Sequence, residues 1–223
     1  MEDGPFRAVI FDMDGVLTDS EPAFYAAVND VLARHGAYVG MEEYRPYVGV
    51  ATEEVWRRLI ERYSLPTTLA AIQEDYEAPL MARLHERRPP LPGARELIDA
   101  LRARGVPVGL CTSSYARWAD AVLASAGLGG LFDALSTADL VERTKPNPAP
   151  YRLAASMLGR PPEECVAIED SASGVASALR AGCYVVQLRA TETAAAPVDG
   201  ARAIGSLGEF PLELLAARPG PFD

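Results

Sequence analysis

The 223-residue sequence predicts an α/β protein: a doubly wound, Rossmann-like parallel sheet core carrying an inserted all-helical cap. Three observations point there. Short, wholly apolar runs of strand length recur along the chain, and stretches of helical period alternate with them. One interval between two such runs is far longer than a crossover needs and reads as helical throughout.

The first strand is Ala8–Phe11, the run AVIF. About 100 residues then separate Asp12 from Thr112, the residues that follow the first and second strands, where an ordinary strand–helix–strand unit needs only ~30. The excess carries three helical stretches, Pro22–Arg34, Thr52–Arg62 and Leu69–Glu86, and no strand. The proline-rich Arg88–Pro92 marks the hinge back into the core. The cap is therefore placed at residues 20–90 and the core at 1–19 and 91–223. In the core follow the helix Ala94–Arg104, the strand Val106–Cys111 and the helices Ala116–Ala126 and Tyr151–Leu158. The strand Cys165–Ile168, the helix Gly174–Ala181, the strand Tyr184–Leu188 and a weaker strand at Ala203–Ile204 complete it, with Ala194–Pro197 a loop.

Composition narrows the function classes. Hydrophobic residues make up 49%, enough for a packed core, and the net charge is -10. Such an acidic chain repels a polyphosphate backbone, which argues against nucleic acid as partner. Cys111, Cys165 and Cys183 each sit in an apolar run without a CxxC pair, and are read as buried core thiols. No apolar run approaches the ~20 residues needed to span a bilayer, and no leader pattern opens the chain. The expectation is a cytoplasmic protein without a membrane partner, monomeric by default.

Four short motifs carry chemistry. Asp12-Met13-Asp14-Gly15 follows the first strand, so the Asp12 carboxylate points into the crevice beyond the sheet and Asp14 approaches from another side. A carboxylate there is a competent nucleophile toward phosphorus, and a second one can shuttle the proton. The plain alternative is an acidic turn capping the next helix. Thr112-Ser113-Ser114 follows the second strand and offers hydroxyls and amides to a phosphoryl group, or merely a helix cap. Lys145, beside Pro146, sits on a stiff loop, suited to neutralising phosphoryl charge, unless it is simply solvated. Glu169-Asp170 follows the third strong strand; two adjacent acids are costly unless a cation binds them, and Mg²⁺ prefers such oxygen donors. There Asp170 or Ser171 could instead cap the helix, and Ser171 or Ser173 is expected to help do so. All four motifs fall where a doubly wound sheet gathers its ligand, and that coincidence decides for phosphate chemistry.

These motifs resemble, in order, those of the haloacid dehalogenase superfamily. DMDGVLTDSEP and IEDSASGVASALRAG resemble the subgroup with an inserted helical cap, which holds β-phosphoglucomutase and phosphoglycolate phosphatase. The resemblance implies Asp12 as nucleophile, Asp14 as general acid/base, and Mg²⁺ held by Asp12, the Asp14 carbonyl, Asp170 and Glu169. It implies phosphoryl contacts from Thr112 and Lys145, and Met13 and Ser113 complete the predicted phosphate-binding set. Dehalogenase members lack the second motif aspartate, so Asp14 argues for a phosphate ester. Mutases of the subgroup carry a histidine where Phe24 stands here and an arginine where Thr52 stands, which favours hydrolysis of a small phosphate ester over mutase chemistry. Ala149 replaces the usual Asp of the KPxPD pattern, read as a changed helix start with Pro150 in the first turn. Candidate substrate contacts are Phe24, Tyr47, Val50, Ala51, Thr52 and Ser114, with Trp56 read as cap core.

A phospho-accepting regulatory module is the rival from another class. It would place its acidic pair after the first strand and has no use for an insert of roughly 70 residues beyond a normal crossover.

Overall fold

β1 is Ala8–Phe11, whose four apolar side chains are all fully buried between neighbours on both faces. In this computed structural model, which describes residues 4–216, five further strands join it: β2 (Val108–Cys111), β3 (Ala134–Ser136), β4 (Cys165–Glu169), β5 (Tyr184–Leu188) and β6 (Ala201–Ile204). The outermost predicted core residues, 1–3 and 217–223, lie outside the described residues. Every pairing is parallel, in the order β3-β2-β1-β4-β5-β6, with Val9 beside Val108 and Val166. The chain builds outward from β1 to β3, then returns to lay β4 on the other side of β1. The switch point thus falls between β1 and β4, where open α/β sheets bind their ligands.

Helices cover both faces. The insert between β1 and the core holds α1 (Glu21–Arg34), α2 (Met41–Tyr44), α3 (Thr52–Tyr63) and α4 (Leu69–Leu84). α5 (Ala94–Ala103), α6 (Ala116–Ser125), α7 (Ala149–Met157) and α8 (Ala172–Ala181) belong to the core. Val28, Leu32, Trp56, Leu59, Ile72 and Leu80 fill the insert's interior, each such burial contributing about 2 kcal/mol. Trp56 stands edge-on to Tyr76 at 5.2 Å, as a core residue. None of the described helices is long and apolar enough to cross a membrane.

The insert is tied to the core by hydrogen bonds at several places, among them Ser173 Oγ to Gly49 O at 3.3 Å. The two crossing segments bond to each other, Leu91 N to Leu17 O at 2.8 Å and Thr18 Oγ1 to Pro89 O at 3.2 Å. On α4, Glu77 accepts from Arg117 Nη2 at 2.8 Å and from the Trp118 indole at 3.1 Å, both on α6.

The differences from the sequence reading have local causes. β2 starts at Val108 because Val106 instead donates its amide to Leu101 O, closing α5, and Pro107 has no N–H to give. β3 is only three residues long and has no apolar run to announce it. α7 begins at Ala149, whose amide is accepted by the Asn147 side chain, with Pro150 in its first turn. Ser171 caps α8 by accepting the Gly174 amide at 3.0 Å. All three cysteines are buried and free.

Candidate active site

Asp12 leaves β1 with its amide still bonded to Ile168 O at 2.9 Å, so the position of its carboxylate is set by β4 as much as by β1. The chain then turns back within six residues. Met13 O accepts the Leu17 amide at 2.9 Å and Gly15 N donates to Thr18 O at 2.9 Å. Gly15 makes the turn possible with φ of +79°, and a Cβ there would run into the Asp170 carboxylate. The turn carries Asp14 to a second point of the cleft, where its Oδ1 accepts the Ser20 hydroxyl. Asp12 and Asp14 therefore meet one ligand from different directions.

Lys145 binds the cluster together. Its Nζ donates to Asp12 Oδ1 at 2.5 Å, Glu169 Oε1 at 2.6 Å and Cys111 O at 2.8 Å, using all three of its protons. The ammonium also lies 5.2 Å from the Tyr151 ring centroid, while the Tyr151 hydroxyl donates to Glu169 Oε1 at 2.7 Å. Ser171 Oγ donates to the other Glu169 oxygen at 3.2 Å. Glu169 is thus fully buried and heavily engaged, whereas Asp170 carries no such set of donors. Oxygen atoms of Asp12, Glu169 and Asp170 lie within 4.8 Å of one another, a spacing that a hard cation could bridge.

The electrostatics follow from this crowding. Burial, reinforced by the Glu169 charge and opposed by Lys145, pushes the Asp12 carboxyl up to about 8. Burial followed by the charges of Asp12 and Glu169 raises Asp170 well above the ordinary carboxylate range. Asp14 is raised chiefly by burial, with the Ser20 hydroxyl working the other way. Desolvation works against the Lys145 charge, but Asp12 and Glu169 outweigh it and hold that ammonium protonated well beyond its usual range.

One cleft collects most of the residues predicted from sequence. Asp12, Asp14, Lys145, Asp170, Ser113 and Ser114 line its core side, and Phe24, Tyr47, Val50 and Thr52 its cap side. Among the described residues the Ser113 hydroxyl is buried without a hydrogen-bond partner, a donor available to a ligand oxygen. Four predicted residues sit differently. The Met13 side chain is fully buried in the core, so only its backbone can meet a phosphoryl group. Thr112 is buried behind the lining, where its Oγ1 accepts the Ser114 amide at 3.0 Å. Glu169 also lies behind the lining, bound to Lys145 and Tyr151. Ala51 lies outside the cleft lining, at the start of α3.

A family model described as haloacid dehalogenase-like hydrolase matches residues 6–182. The chain belongs to the haloacid dehalogenase-like hydrolases. Among relatives in this family, hexitol phosphatase B of Escherichia coli is 36% identical over 172 residues, covering 75% of this chain and 77% of its own. The phosphorylated carbohydrates phosphatase of Thermotoga maritima is 34% identical over 188 residues, covering 79% and 82%. Among solved structures, CbbY from Rhodobacter sphaeroides, in complex with phosphate, superposes with a TM-score of 0.84 at 27% identity, covering 92% of this chain and 96% of that one.

Within this haloacid dehalogenase-like site, several contributors escaped the sequence reading. Tyr151 was legible only as an apolar helix position, and nothing local marks a hydroxyl bound to Glu169. Glu21, Tyr44 and Tyr76 line the cleft from the insert, and only Glu21, in the string DSEP, stands close to a motif. Gly15→Ala should combine left-handed strain of about 1–2 kcal/mol with displacement of Asp170. It is expected to lower the melting temperature by several degrees and to weaken activity. Thermal unfolding and phosphate release measure both, and parental values in each would remove the close-approach role of Gly15.

Proposed function

We propose that this haloacid dehalogenase-like hydrolase is a Mg²⁺-dependent phosphatase of small phosphorylated metabolites, carbohydrate phosphates among them, acting through a covalent phosphoryl group on Asp12. The observation that carries this reading is the Asp12–Lys145–Glu169 cluster at the switch point, with Asp14 held apart from it by the Gly15 turn and the Ser20 hydroxyl. The related phosphatases of E. coli and T. maritima support the substrate class.

The residues fit a hard cation. Asp12 and Asp170 offer carboxylate oxygens into the cleft, with Glu169 beside them, and the repulsion among these acids is what a cation would relieve. The hydrogen bonds on Glu169 suit it to positioning Lys145 and to reaching the cation through water. A bound Mg²⁺ supplies charge neutralisation for the phosphoryl oxygens and for the clustered acids.

In the first step an Asp12 oxygen attacks phosphorus as the ester P–O bond breaks, and the departing oxygen takes the proton of Asp14. The burial that raises Asp14 favours its protonated form. In the second step water gives its proton to Asp14 and attacks phosphorus, the Asp12–phosphorus bond breaks, and phosphate leaves. Lys145 Nζ and the Ser113 hydroxyl balance and hold the phosphoryl oxygens. The insert, residues 20–90, closes over the cleft and excludes water from the first step.

A mutase must also grip a second phosphate while its intermediate turns. Among the described residues, Lys145 is the sole basic side chain lining the cleft, and it is already bound to two carboxylates.

The test is phosphate release from sugar phosphates, phosphoglycolate and nucleotides, with and without Mg²⁺. Magnesium-dependent release is expected; conversion of β-glucose 1-phosphate to glucose 6-phosphate without release would instead establish a mutase.

Metal binding should also register in stability. Mg²⁺ at a hundred times its dissociation constant adds about 2.7 kcal/mol, and chelation removes it. For a chain of this size that is roughly 5–11 °C in melting temperature. Between pH 3.8 and about 8 the folded metal-free chain keeps a proton on Asp12 that the unfolded chain has released. Its stability therefore falls as pH rises through that window. The increment from Mg²⁺ is expected to widen from pH 5 to pH 8, and a flat increment would place the cation away from Asp12.

A further inference from the structure

We propose that Glu21 reads the leaving group: its carboxylate accepts hydrogen bonds from the hydroxyls of a neutral polyol or sugar, so the preferred substrate carries one phosphate on an uncharged, hydroxyl-rich body. This rests on the phosphatase reading above and narrows its substrate.

Glu21 is the first residue of α1, only 9% exposed, yet it lines the same cleft as Asp12 and Asp14. Neither transfer step uses it. A carboxylate this buried is costly unless its oxygens are met by donors. Of the other buried acids of the site, Asp14 is met by Ser20, Asp12 by Lys145, and Glu169 by Lys145 and Tyr151, while Asp170 belongs to the oxygen cluster suited to a cation. Among the described residues Glu21 has no comparable short bond, and the Tyr44 hydroxyl is the one neighbour that favours its charge by hydrogen bonding. Its other charged neighbours, Asp14 and Asp19, are acids and make its burial harder. A carboxylate has about four lone-pair sites, so most of its accepting capacity is left for what enters the cleft.

The surroundings select the donor. Thr52, Ser113 and Ser114 add hydroxyls, and Phe24, Tyr47 and Tyr76 add ring faces suited to the C–H surfaces of a sugar. A second phosphate would enter beside Asp14 and Glu21, where among the described residues the already engaged Lys145 is the sole basic side chain in the lining. Arg88 is near enough to act electrostatically on Asp14 and Asp19, but it does not reach the cleft lining. Like charge thus excludes bisphosphates while Glu21 rewards hydroxyls, the paired attraction and rejection by which sites discriminate.

The experiment compares kcat/KM, with Mg²⁺, for sorbitol 6-phosphate, 4-nitrophenyl phosphate, fructose 1,6-bisphosphate and phosphoethanolamine, in the parent, Glu21→Ala and Glu21→Gln. The parent is expected to prefer sorbitol 6-phosphate. The ratio of its kcat/KM to that of the aryl ester should fall at least tenfold in Glu21→Ala, mainly through KM. Glu21→Gln, which keeps the shape and one acceptor, should fall less, and it carries the comparison if the alanine variant does not fold. An unchanged ratio in the variants, or an equal loss on both esters, overturns the proposal. Parental preference for the bisphosphate or the amine overturns the substrate class. A parent that hydrolyses none of the four esters refutes the phosphatase reading itself, and this proposal with it.

Discussion

Asp12→Asn is expected to lose at least ~10⁴-fold in phosphate release while folding as the parent does, the scale on which removal of a nucleophile acts. The amide has nearly the shape of the carboxylate and still accepts from Lys145 Nζ, but it cannot form an acyl phosphate. Lys145 keeps its bonds to Glu169 and the Cys111 carbonyl, so the strand ends stay in register. Stability should not suffer. In the metal-free chain burial and Glu169 already push Asp12 toward its neutral form, up to about 8, so a neutral side chain relieves a repulsion there. The melting temperature in chelator is therefore expected to stay level or rise, while its response to Mg²⁺ shrinks. Two measurements settle the role: phosphate release, and trapping of a phosphorylated chain by acid quench, seen in the parent and lost in the variant. Turnover within tenfold of the parent would remove Asp12 as nucleophile.

Most of the frame was legible because buried parallel strands write themselves as unbroken apolar runs. AVIF, VGLC, CVAI and YVVQL each became a strand, and the acids, hydroxyls and turn that follow them became the floor of the cleft. The inserted helices were legible from an interval too long for a crossover. What escaped was of two kinds. β3 and α2 are too short, at three and four residues, to show any period. The other kind depends on contacts between distant segments. Tyr151 reaches Glu169 across a helix–strand packing, and Glu21, Tyr44 and Tyr76 converge only when α1, α2 and α4 fold over the core. A residue's neighbours in sequence carry no trace of such meetings. Thr112 and Glu169 show the reverse case: their positions in sequence were clear, but their hydrogen bonds turn them toward holding other groups.

Lys145→Met should be the most destabilising single change at the site. Lys145 is 6% exposed and is the one cation bonded to both Asp12 and Glu169. The pair's own net contribution is modest, because desolvation offsets attraction. Removing only the cation is different, since two buried carboxylates are then left without it, at a cost of about 3–5 kcal/mol. For a chain of this size that is a fall of roughly 6–20 °C in melting temperature. In the variant Asp12 loses the Lys145 charge that opposes its proton and takes that proton up more readily than in the parent. The variant's native state therefore binds more protons than the parent's native state, and its deficit should widen as pH rises from 5 to 8. Activity should fall as well, by about 10²–10³-fold, the usual effect of losing one group that stabilises transition-state charge. The decisive comparison is the double variant. With Asp12→Asn added, the buried acid that carries its charge when Mg²⁺ or a pH above about 8 ionises it is gone, so under those conditions Lys145→Met/Asp12→Asn should be more stable than Lys145→Met alone and the two changes should not add. Additive losses would mean that Lys145 holds the fold through the packing of its aliphatic stem and not through the acids. Recovery in the double variant would assign its role to charge, the same role it plays toward phosphate.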